Sequence, residues 1–258
     1  TADAGADELV IEGSGNAGMS ILTGASSTGS IYFGDSGTNW DGYIAYSQTS
    51  RSMTLGTAAG GGSVVIDSSG HVGIGVTPES WHASWATLQF GDAGVLSGRT
   101  DSNGIDFGSN FYYDSVNSRW EYITNDEASR YNQANGIHTF SVAASGTADA
   151  VLSWTTAMTI DNSGYVYKGD TSPWNNSGDN GAWKLSPDGN FDCARYQAEV
   201  MNVNRLGNNG NAIVLRQDGT AVGTITVTGS ATAFNTSSDY RLKENVDYTW
   251  DATTRLKQ

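Results

Sequence analysis

A short phrase that recurs along the chain constrains the fold more than any other feature of the sequence. Residues 64–74 read Val-Val-Ile-Asp-Ser-Ser-Gly-His-Val-Gly-Ile, and residues 158–167 repeat the pattern as Met-Thr-Ile-Asp-Asn-Ser-Gly-Tyr-Val-Tyr. In both segments alternating apolar residues flank an Asp-x-Ser-Gly turn, which is the pattern of a half-buried β-hairpin. Weaker versions occupy residues 183–191 and 214–222. The phrase predicts an all-β chain of short hairpins, and its irregular spacing argues against a solenoid repeat.

Further hairpins and two prolines suggest how the chain is divided. Residues 30–33 and 42–46 flank a Gly-Asp-Ser-Gly turn, and residues 109–113 and 119–123 flank an Asp-Ser-Val-Asn-Ser turn. Proline disfavours a continuing central strand, so we expect module borders near Pro78 and Pro173. The sequence therefore predicts β modules at residues 1–77, 78–170 and 171–237, followed by a different segment at residues 238–258.

The composition indicates that a lone chain would be poorly stabilised. The sequence contains 33 Gly and 3 Pro, and large aliphatic side chains are few for its length. Such a chain buries little apolar surface to offset the entropy lost on folding, and short Gly-rich strands leave exposed edges. We therefore expect several identical chains to intertwine.

Charge and cysteine content exclude several classes of protein. The net charge of −14 repels phosphate backbones and anionic lipid, which argues against nucleic-acid binding and membrane binding. No apolar run is long enough to span a membrane. The single cysteine, Cys193, excludes an intrachain disulfide framework. Because the chain begins with Thr1 and its last eight residues are typical of a helix start, we expect the natural protein to continue beyond Gln258.

The sequence changes character abruptly at residues 235–246, Asn-Thr-Ser-Ser-Asp-Tyr-Arg-Leu-Lys-Glu-Asn-Val. Upstream of this border the chain is polar and Gly-rich, whereas downstream it is charged and helix-like, so we expect a short α segment there. The six residues from Ser238 to Lys243 resemble the entry motif of the self-cleaving C-terminal chaperone of phage tail fibres and endosialidase-type tailspikes. Residues 66–75 and 216–245 are similar to the shaft sequences of such fibres.

The resemblance implies a fold, a partner and a reaction. In that family the chaperone helps three chains fold together and then cuts itself off. The chain would therefore form a homotrimer in a virion tail fibre, an elongated, intertwined β-prism or β-sandwich-like assembly of short hairpin-rich β modules. Residues 238–258 would be the start of the chaperone. The family pattern makes Ser238 the nucleophile and Lys243 its base, and places the cut between Ser237 and Ser238. Asp239 and Arg241 would support this autocleavage by orienting the loop or polarising the carbonyl.

The same resemblance implies a role outside the cell that makes the protein. A tail fibre is assembled in the host cytoplasm, contacts other tail proteins and attaches the particle to a glycan or protein receptor on the host surface. One alternative is a polysaccharide-degrading tailspike, either a glycan hydrolase or a lyase, because such enzymes carry the same chaperone. A second alternative is a non-viral trimeric adhesin. The sequence shows no long run of parallel β-helix coils, which a degrading tailspike would favour.

Other candidate sites in the sequence are weak. Residues 13–18 spell Gly-x-Gly-x-x-Gly, but no helix pattern follows, so a hairpin turn is the preferred interpretation over a dinucleotide site. A calcium-loop template places ligands at its positions 1, 3, 5 and 12, and the residues there are Asp188, Asn190, Asp192 and Glu199. Cys193 stands where that template needs glycine, so a β-turn is preferred. No motif calls for a cofactor.

Histidines and tryptophans complete the candidates. His71, His82 and His138 are far apart in the sequence, and we expect structural or surface roles for them. The eight tryptophans are either platforms on which sugar rings stack or the large core residues of an aliphatic-poor β protein. The core interpretation is preferred for any given tryptophan.

Overall fold

A computed structural model describes residues 9–57, 61–168, 182–195 and 198–236 of the chain. The chain divides into two compact units, Thr1–Tyr196 and Gln197–Gln258. The described residues contain nineteen β-strands and no helix, so the all-β prediction is confirmed for them. None of the described residues belongs to a helix that could cross a membrane.

The first unit is built on one sheet of 14 strands. Its strands follow the chain, apart from β9 and β10, which form a separate hairpin. The bounds are β1 Thr28–Phe33, β2 Gly42–Ser47, β3 Ser52–Thr57, β4 Gly61–Ile66, β5 Val72–Ile74, β6 Trp85–Phe90, β7 Gly94–Arg99, β8 Gly104–Ser109, β9 Tyr112–Tyr113, β10 Trp120–Glu121, β11 Ala128–Ala134, β12 Ile137–Ala143, β13 Thr155–Ile160, β14 Val166–Lys168, β15 Ala182–Leu185 and β16 Phe191–Ala194. Neighbouring strands of the large sheet are antiparallel, except that β5 and β6 are parallel.

Five of the hairpins that the sequence predicts are confirmed in the first unit. The pairs β1–β2, β4–β5, β9–β10, β13–β14 and β15–β16 are antiparallel. In the β4–β5 turn, Asp67 Oδ1 accepts hydrogen bonds from the amides of Ser69 and His71, both at 2.8 Å. The matching residue of the β13–β14 turn, Asp161, accepts from the amides two and four residues later, at 2.9 and 3.0 Å.

A glycine ends the turn in both copies of the recurring phrase, and its backbone conformation explains why. Gly70 has φ of 87° and Gly164 has φ of 85°, which is the left-handed region that other residues rarely adopt. The aspartate therefore satisfies the turn amides while the glycine reverses the chain. Both requirements are local, which is why the phrase could be recognised in the sequence.

A cap of irregular chain covers one face of the sheet. We call residues 78–84, 110–127 and 144–154 the aromatic cap, because their aromatic side chains pack over β6, β7, β8, β11 and β12. Isolated bridges join Trp81 to Asp114 and Glu121 to Val151. The buried core between cap and sheet consists of Trp81, Trp85, Val95, Phe111, Tyr112, Tyr122, Ile123, Ala128, Ala143 and Leu152.

The second unit contains a three-stranded antiparallel sheet. Its strands are β17 Gly210–Gln217, β18 Thr220–Val227 and β19 Thr232–Thr236. The hairpin predicted at residues 214–222 is the β17–β18 pair, whose register shifts at two irregular positions.

Three further expectations have different outcomes. Residues 9–27 contain no strand, so the hairpin predicted around the Gly-x-Gly-x-x-Gly segment is wrong. The strand-like residues 9–12 have no partner strand in the described part of the chain. The module borders near Pro78 and Pro173 stay predictions. Residues 237–258, which contain the predicted α segment, lie outside the described residues.

Candidate assembly surface and aromatic cap

One face of the large sheet carries apolar side chains across most of its width. On β2 to β13 the directly paired residues of this face are Tyr46, Met53, Ile66, Val72, Leu88, Leu96, Phe107, Tyr131, Phe140 and Met158. A second row on β1 to β6 consists of Ile31, Ile44, Leu55, Val64, Ile74 and Phe90. Residues two apart on a strand share a face, so the two rows lie side by side. We call this surface the apolar face.

The residues that the structure describes leave the apolar face largely exposed. Leu55 is 41% exposed, Ile74 is 46% exposed and Phe107 is 56% exposed. A whole aromatic side chain contributes about 150–250 Å², so exposures of this size leave on the order of 1,000 Å² of apolar surface. Soluble monomers ordinarily expose patches of about 300–600 Å². The apolar face therefore exposes more apolar surface than a soluble monomer ordinarily does.

The opposite face of the same sheet carries rows of short and polar side chains. Thr87, Ser97, Asp106 and Asn132 are consecutive partners on β6, β7, β8 and β11, and Ser30, Ala45 and Thr54 are partners on β1, β2 and β3. The aromatic cap covers the first of these two rows. In the described part of the chain, the aromatic cap thus covers the face that carries this polar row, and the apolar face stays exposed.

Tryptophans form the centre of the aromatic cap. The ring of Trp85 lies 5.1 Å from that of Trp120, and Phe111 lies 5.4 Å from Trp154. The Arg130 guanidinium lies 5.0 Å from the Trp120 ring and 4.7 Å from the Trp154 ring, distances at which cation–π attraction operates. Trp81 and Trp85 are buried, and Trp120 and Trp154 pack against them. The core interpretation is confirmed for these four tryptophans.

The other tryptophans are placed differently. Trp183 on β15 is half-buried, with its ring 6.5 Å from that of Phe191. Trp40, in the loop between β1 and β2, is 44% exposed. It therefore remains a candidate surface on which a sugar ring could stack. Trp174 and Trp250 lie outside the described residues.

A tyrosine between two carboxylates ties the cap together. The Tyr112 hydroxyl lies 2.7 Å from Glu121 Oε2 and 3.0 Å from Asp149 Oδ1. Arg119 Nε donates to Glu121 Oε1 at 2.7 Å, so the buried Glu121 is paired with a cation. Burial and the hydrogen bonds to both carboxylates raise the pKa of Tyr112 above its ordinary value. Burial, and to a smaller extent the charge of Asp149, raise the pKa of Glu79.

Each of the three histidines is held by neighbouring residues. His71 Nδ1 lies 2.8 Å from Asp67 Oδ2, and its Nε2 lies 3.0 Å from the Trp85 carbonyl oxygen. His82 Nδ1 accepts from the Ser84 amide at 3.1 Å. His138 contacts the Tyr131 hydroxyl. These contacts fit the structural roles that the sequence suggests for the histidines.

The weak calcium candidates lie in and after a turn. Asp188 and Asn190 belong to the β15–β16 turn, where Asn190 Nδ2 donates to Asp188 Oδ2 at 3.1 Å. Asp192 lies 3.2 Å from Lys184 Nζ, and Glu199 belongs to the second unit. Among the residues that the structure describes, no three His, Cys, Asp or Glu side chains are grouped to hold a metal ion.

The predicted cleavage residues, Ser237, Ser238, Asp239, Arg241 and Lys243, lie outside the described residues. Comparisons with protein-family models, with curated proteins and with solved structures find no match. The sequence did not single out the apolar face, although alternating pairs such as Ile44 and Tyr46 on β2 are its signal. The registers of the strands were needed to align those pairs.

Proposed function

We propose that this chain is part of a phage tail fibre that attaches the virion to its host cell. In this proposal three identical chains form an elongated trimer of hairpin-rich β modules, and a C-terminal chaperone cleaves itself off after folding. The apolar face carries the proposal, because a surface of this size and character is stable in water only when a partner covers it. Three copies around a threefold axis would turn their apolar faces inward, as in a β-prism.

The second unit supports the same arrangement independently. Ile213, Ile225 and Phe234 are consecutive partners on β17, β18 and β19, and Phe234 is 78% exposed. Asn211, Thr226 and Asn235 form hydrogen bonds with one another along the other face. None of the described residues of this unit belongs to the buried core residues, so the sheet buries little apolar surface of its own. Partner chains would supply the cover for its apolar row.

Attachment follows from what such a trimer would present to solvent. With the apolar faces inside, the aromatic cap and the acidic surface of a chain with net charge −14 would point outward. Exposed aromatic rings such as those of Trp40 and Tyr32 can stack on sugar rings, and nearby carboxylates can accept sugar hydroxyls. Three copies of a weak site for a host glycan or protein receptor gain avidity without new contacts.

The self-cleavage step needs only a serine and a base. The Ser238 hydroxyl attacks the carbonyl carbon of Ser237, on its own chain or a neighbouring one, and Lys243 accepts the hydroxyl proton. The amine of residue 238 leaves with that proton, and water hydrolyses the resulting ester. Asp239 and Arg241 support the reaction. The released chaperone would leave a mature fibre chain ending at Ser237.

Sedimentation of matched charge variants tests the trimer. Thr54 and Leu55 are neighbours on β3 and point to opposite faces. We expect the unaltered chain and Thr54→Glu to sediment with the mass of three chains, and Leu55→Glu to sediment with a lower mass at the same concentration. The proposal would be excluded if the unaltered chain sedimented as a monomer at micromolar concentration.

Mass spectrometry of a longer version that includes the whole chaperone tests the cleavage. We expect a product that ends at Ser237 in the unaltered protein and only uncut chain in Ser238→Ala and Lys243→Ala. Cleavage of Ser238→Ala at the same bond would exclude the assignment of the nucleophile.

A further inference from the structure

A row of buried polar side chains lies beneath the aromatic cap. Thr87, Ser97 and Asp106 are consecutive partners on β6, β7 and β8, and they are 6%, 1% and 0% exposed. Within the described part of the chain, Thr87 Oγ1, Ser97 Oγ and Asp106 Oδ2 have no hydrogen-bond partner. Buried polar atoms in native proteins are nearly always hydrogen-bonded to protein or to ordered water.

Two more unsatisfied atoms lie on the next strands. Arg130 and Ser141 are partners on β11 and β12, and their Nε and Oγ atoms are buried without a hydrogen bond among the described residues. Arg130 Nε lies 3.6 Å from Asp106 Oδ1, which is too long for a hydrogen bond. We call Thr87, Ser97, Asp106, Arg130 and Ser141 the polar seam.

We propose that the polar seam binds a short chain of ordered water molecules. The seam offers an acceptor on Asp106, a donor on Arg130 and three hydroxyl groups that can act as either. Directly paired side chains on adjacent strands begin about 4.5–5.5 Å apart at Cβ, so short side chains such as those of Ser97 and Thr87 leave a gap that one water can bridge.

The charges in the seam argue against other occupants. The Arg130 guanidinium disfavours a cation, the Asp106 carboxylate disfavours an anion, and an apolar molecule would leave the same atoms unsatisfied. Water both donates and accepts hydrogen bonds and carries no charge. The seam lies on the capped face and not on the apolar face, so this inference does not depend on how the chains assemble.

A high-resolution crystal structure of the full chain tests the occupant directly. We expect electron density for water within hydrogen-bond distance of Asp106 Oδ2, Ser97 Oγ and Arg130 Nε. Crystals soaked in a rubidium salt should show no anomalous signal there. A seam without such density, with the hydroxyls turned onto neighbouring carbonyl oxygens, would overturn the inference, and so would a rubidium peak.

The direction in which Thr87→Val changes the stability of the chain tests the bound water in solution. Thr87→Val keeps the shape of the side chain and removes its hydroxyl. If water bonds to that hydroxyl, the equilibrium constant for unfolding should rise about five- to tenfold, because the water loses a partner. If the hydroxyl is unsatisfied and the seam is dry, the same constant should stay unchanged or fall. Thr54→Val on β3, away from the cap, is the matched control and should change the constant less than about twofold.

Discussion

Asp106 is a carboxylate that lies completely beneath the aromatic cap. Its Oδ1 accepts a hydrogen bond from Asn132 Nδ2 at 2.9 Å and lies 3.6 Å from Arg130 Nε. Burial raises the pKa of Asp106 above the ordinary 3.8, and Arg130 and Asn132 offset only part of that effect. The folded chain therefore binds this proton more tightly than the unfolded chain. The resulting stabilisation is fully present below the unfolded pKa and is lost as pH rises through the folded pKa.

The direction of this pH dependence gives a prediction for Asp106→Asn. The amide resembles the protonated carboxyl group, so the variant should gain stability relative to the unaltered chain as pH rises above about 4. Urea unfolding at a series of pH values measures the difference. Asp101→Asn is the control of opposite sign, because a hydrogen bond from Arg99 lowers the pKa of Asp101 and its contribution is lost as pH falls. A difference for Asp106→Asn that does not change with pH would contradict the prediction.

Tyr112→Phe tests the link between the two carboxylates of the cap. Without the hydroxyl, the buried Glu121 loses a donor at 2.7 Å but keeps Arg119. We expect the free energy of unfolding to fall by about 1–2 kcal/mol, measured by chemical denaturation. Tyr113→Phe is the matched control, because its hydroxyl donates to the Ser118 carbonyl at an exposed site. A loss for Tyr112→Phe no larger than that of the control would contradict the prediction.

At the residue scale, what the sequence predicts depends on distance along the chain. Asp67 bonds to amides two and four residues away, so its role could be predicted from the phrase alone. Tyr112 and Asp149 are 37 residues apart, and Asn132 reaches back 26 residues to Asp106. Contacts of this kind exist only once the strands are in register, and no local pattern indicates them.

At the element scale, Gly108 lies where β8, β11 and the cap are in close contact. A Cβ at this position would overlap the Ser129 carbonyl oxygen on β11 and lie 3.0 Å from Phe111 Cε1. We expect Gly108→Ala to lower the free energy of unfolding by about 2–3 kcal/mol, because neither the backbone nor the packed ring can move away cheaply. Thermal unfolding followed by tryptophan fluorescence measures the loss.

Gly98→Ala on β7 is the matched control. At Gly98 the nearest atom to an added Cβ is the Gly104 carbonyl oxygen at 4.0 Å, so the methyl group has room. Its effect should stay within about 0.5 kcal/mol. Equal losses for the two variants would show that strand glycines matter for a reason other than close packing.

Distance along the chain also separates the elements that the sequence predicts from those that it does not. Hairpins such as β13–β14 join strands separated by a few residues, and their turns carry their own signal. The cap is assembled from three separate stretches, and the parallel β5–β6 pair lies where His71 meets the Trp85 carbonyl oxygen 14 residues away. The strand-like residues 9–12 show the opposite failure, because a strand pattern without a partner does not form a strand.

At the scale of the whole molecule, the composition predicts that partner chains are needed but not where they bind. Few large aliphatic residues were expected to leave the chain short of buried surface. The registers show that many of the large apolar residues on β1 to β13 lie on one face, so that Leu96, Phe107 and Tyr131 meet across three strands. The tryptophans and other aromatic residues of the cap form the internal core instead. The chain thus divides its apolar residues between a core of its own and a surface suited to other chains.

That division leads to a prediction about receptor binding. If attachment depends on three weak sites held together, binding should depend on the trimer and not only on the fold of each chain. We expect Leu55→Glu, whose altered residue lies on the apolar face away from the cap, to bind a glycan array at least about a hundredfold more weakly than the unaltered chain. Thr54→Glu on the opposite face of the same strand should bind as the unaltered chain does.

The comparison is informative only if the chains themselves stay folded. Near-ultraviolet circular dichroism reports the packing of the cap tryptophans, and we expect the same spectrum from both variants. Glycan binding that Leu55→Glu retains at full strength while sedimenting as a monomer would show that one chain suffices for recognition. If Leu55→Glu lost both glycan binding and the cap spectrum, the apolar face would be needed to fold each chain. The exposure of the apolar face in the single chain argues against that outcome.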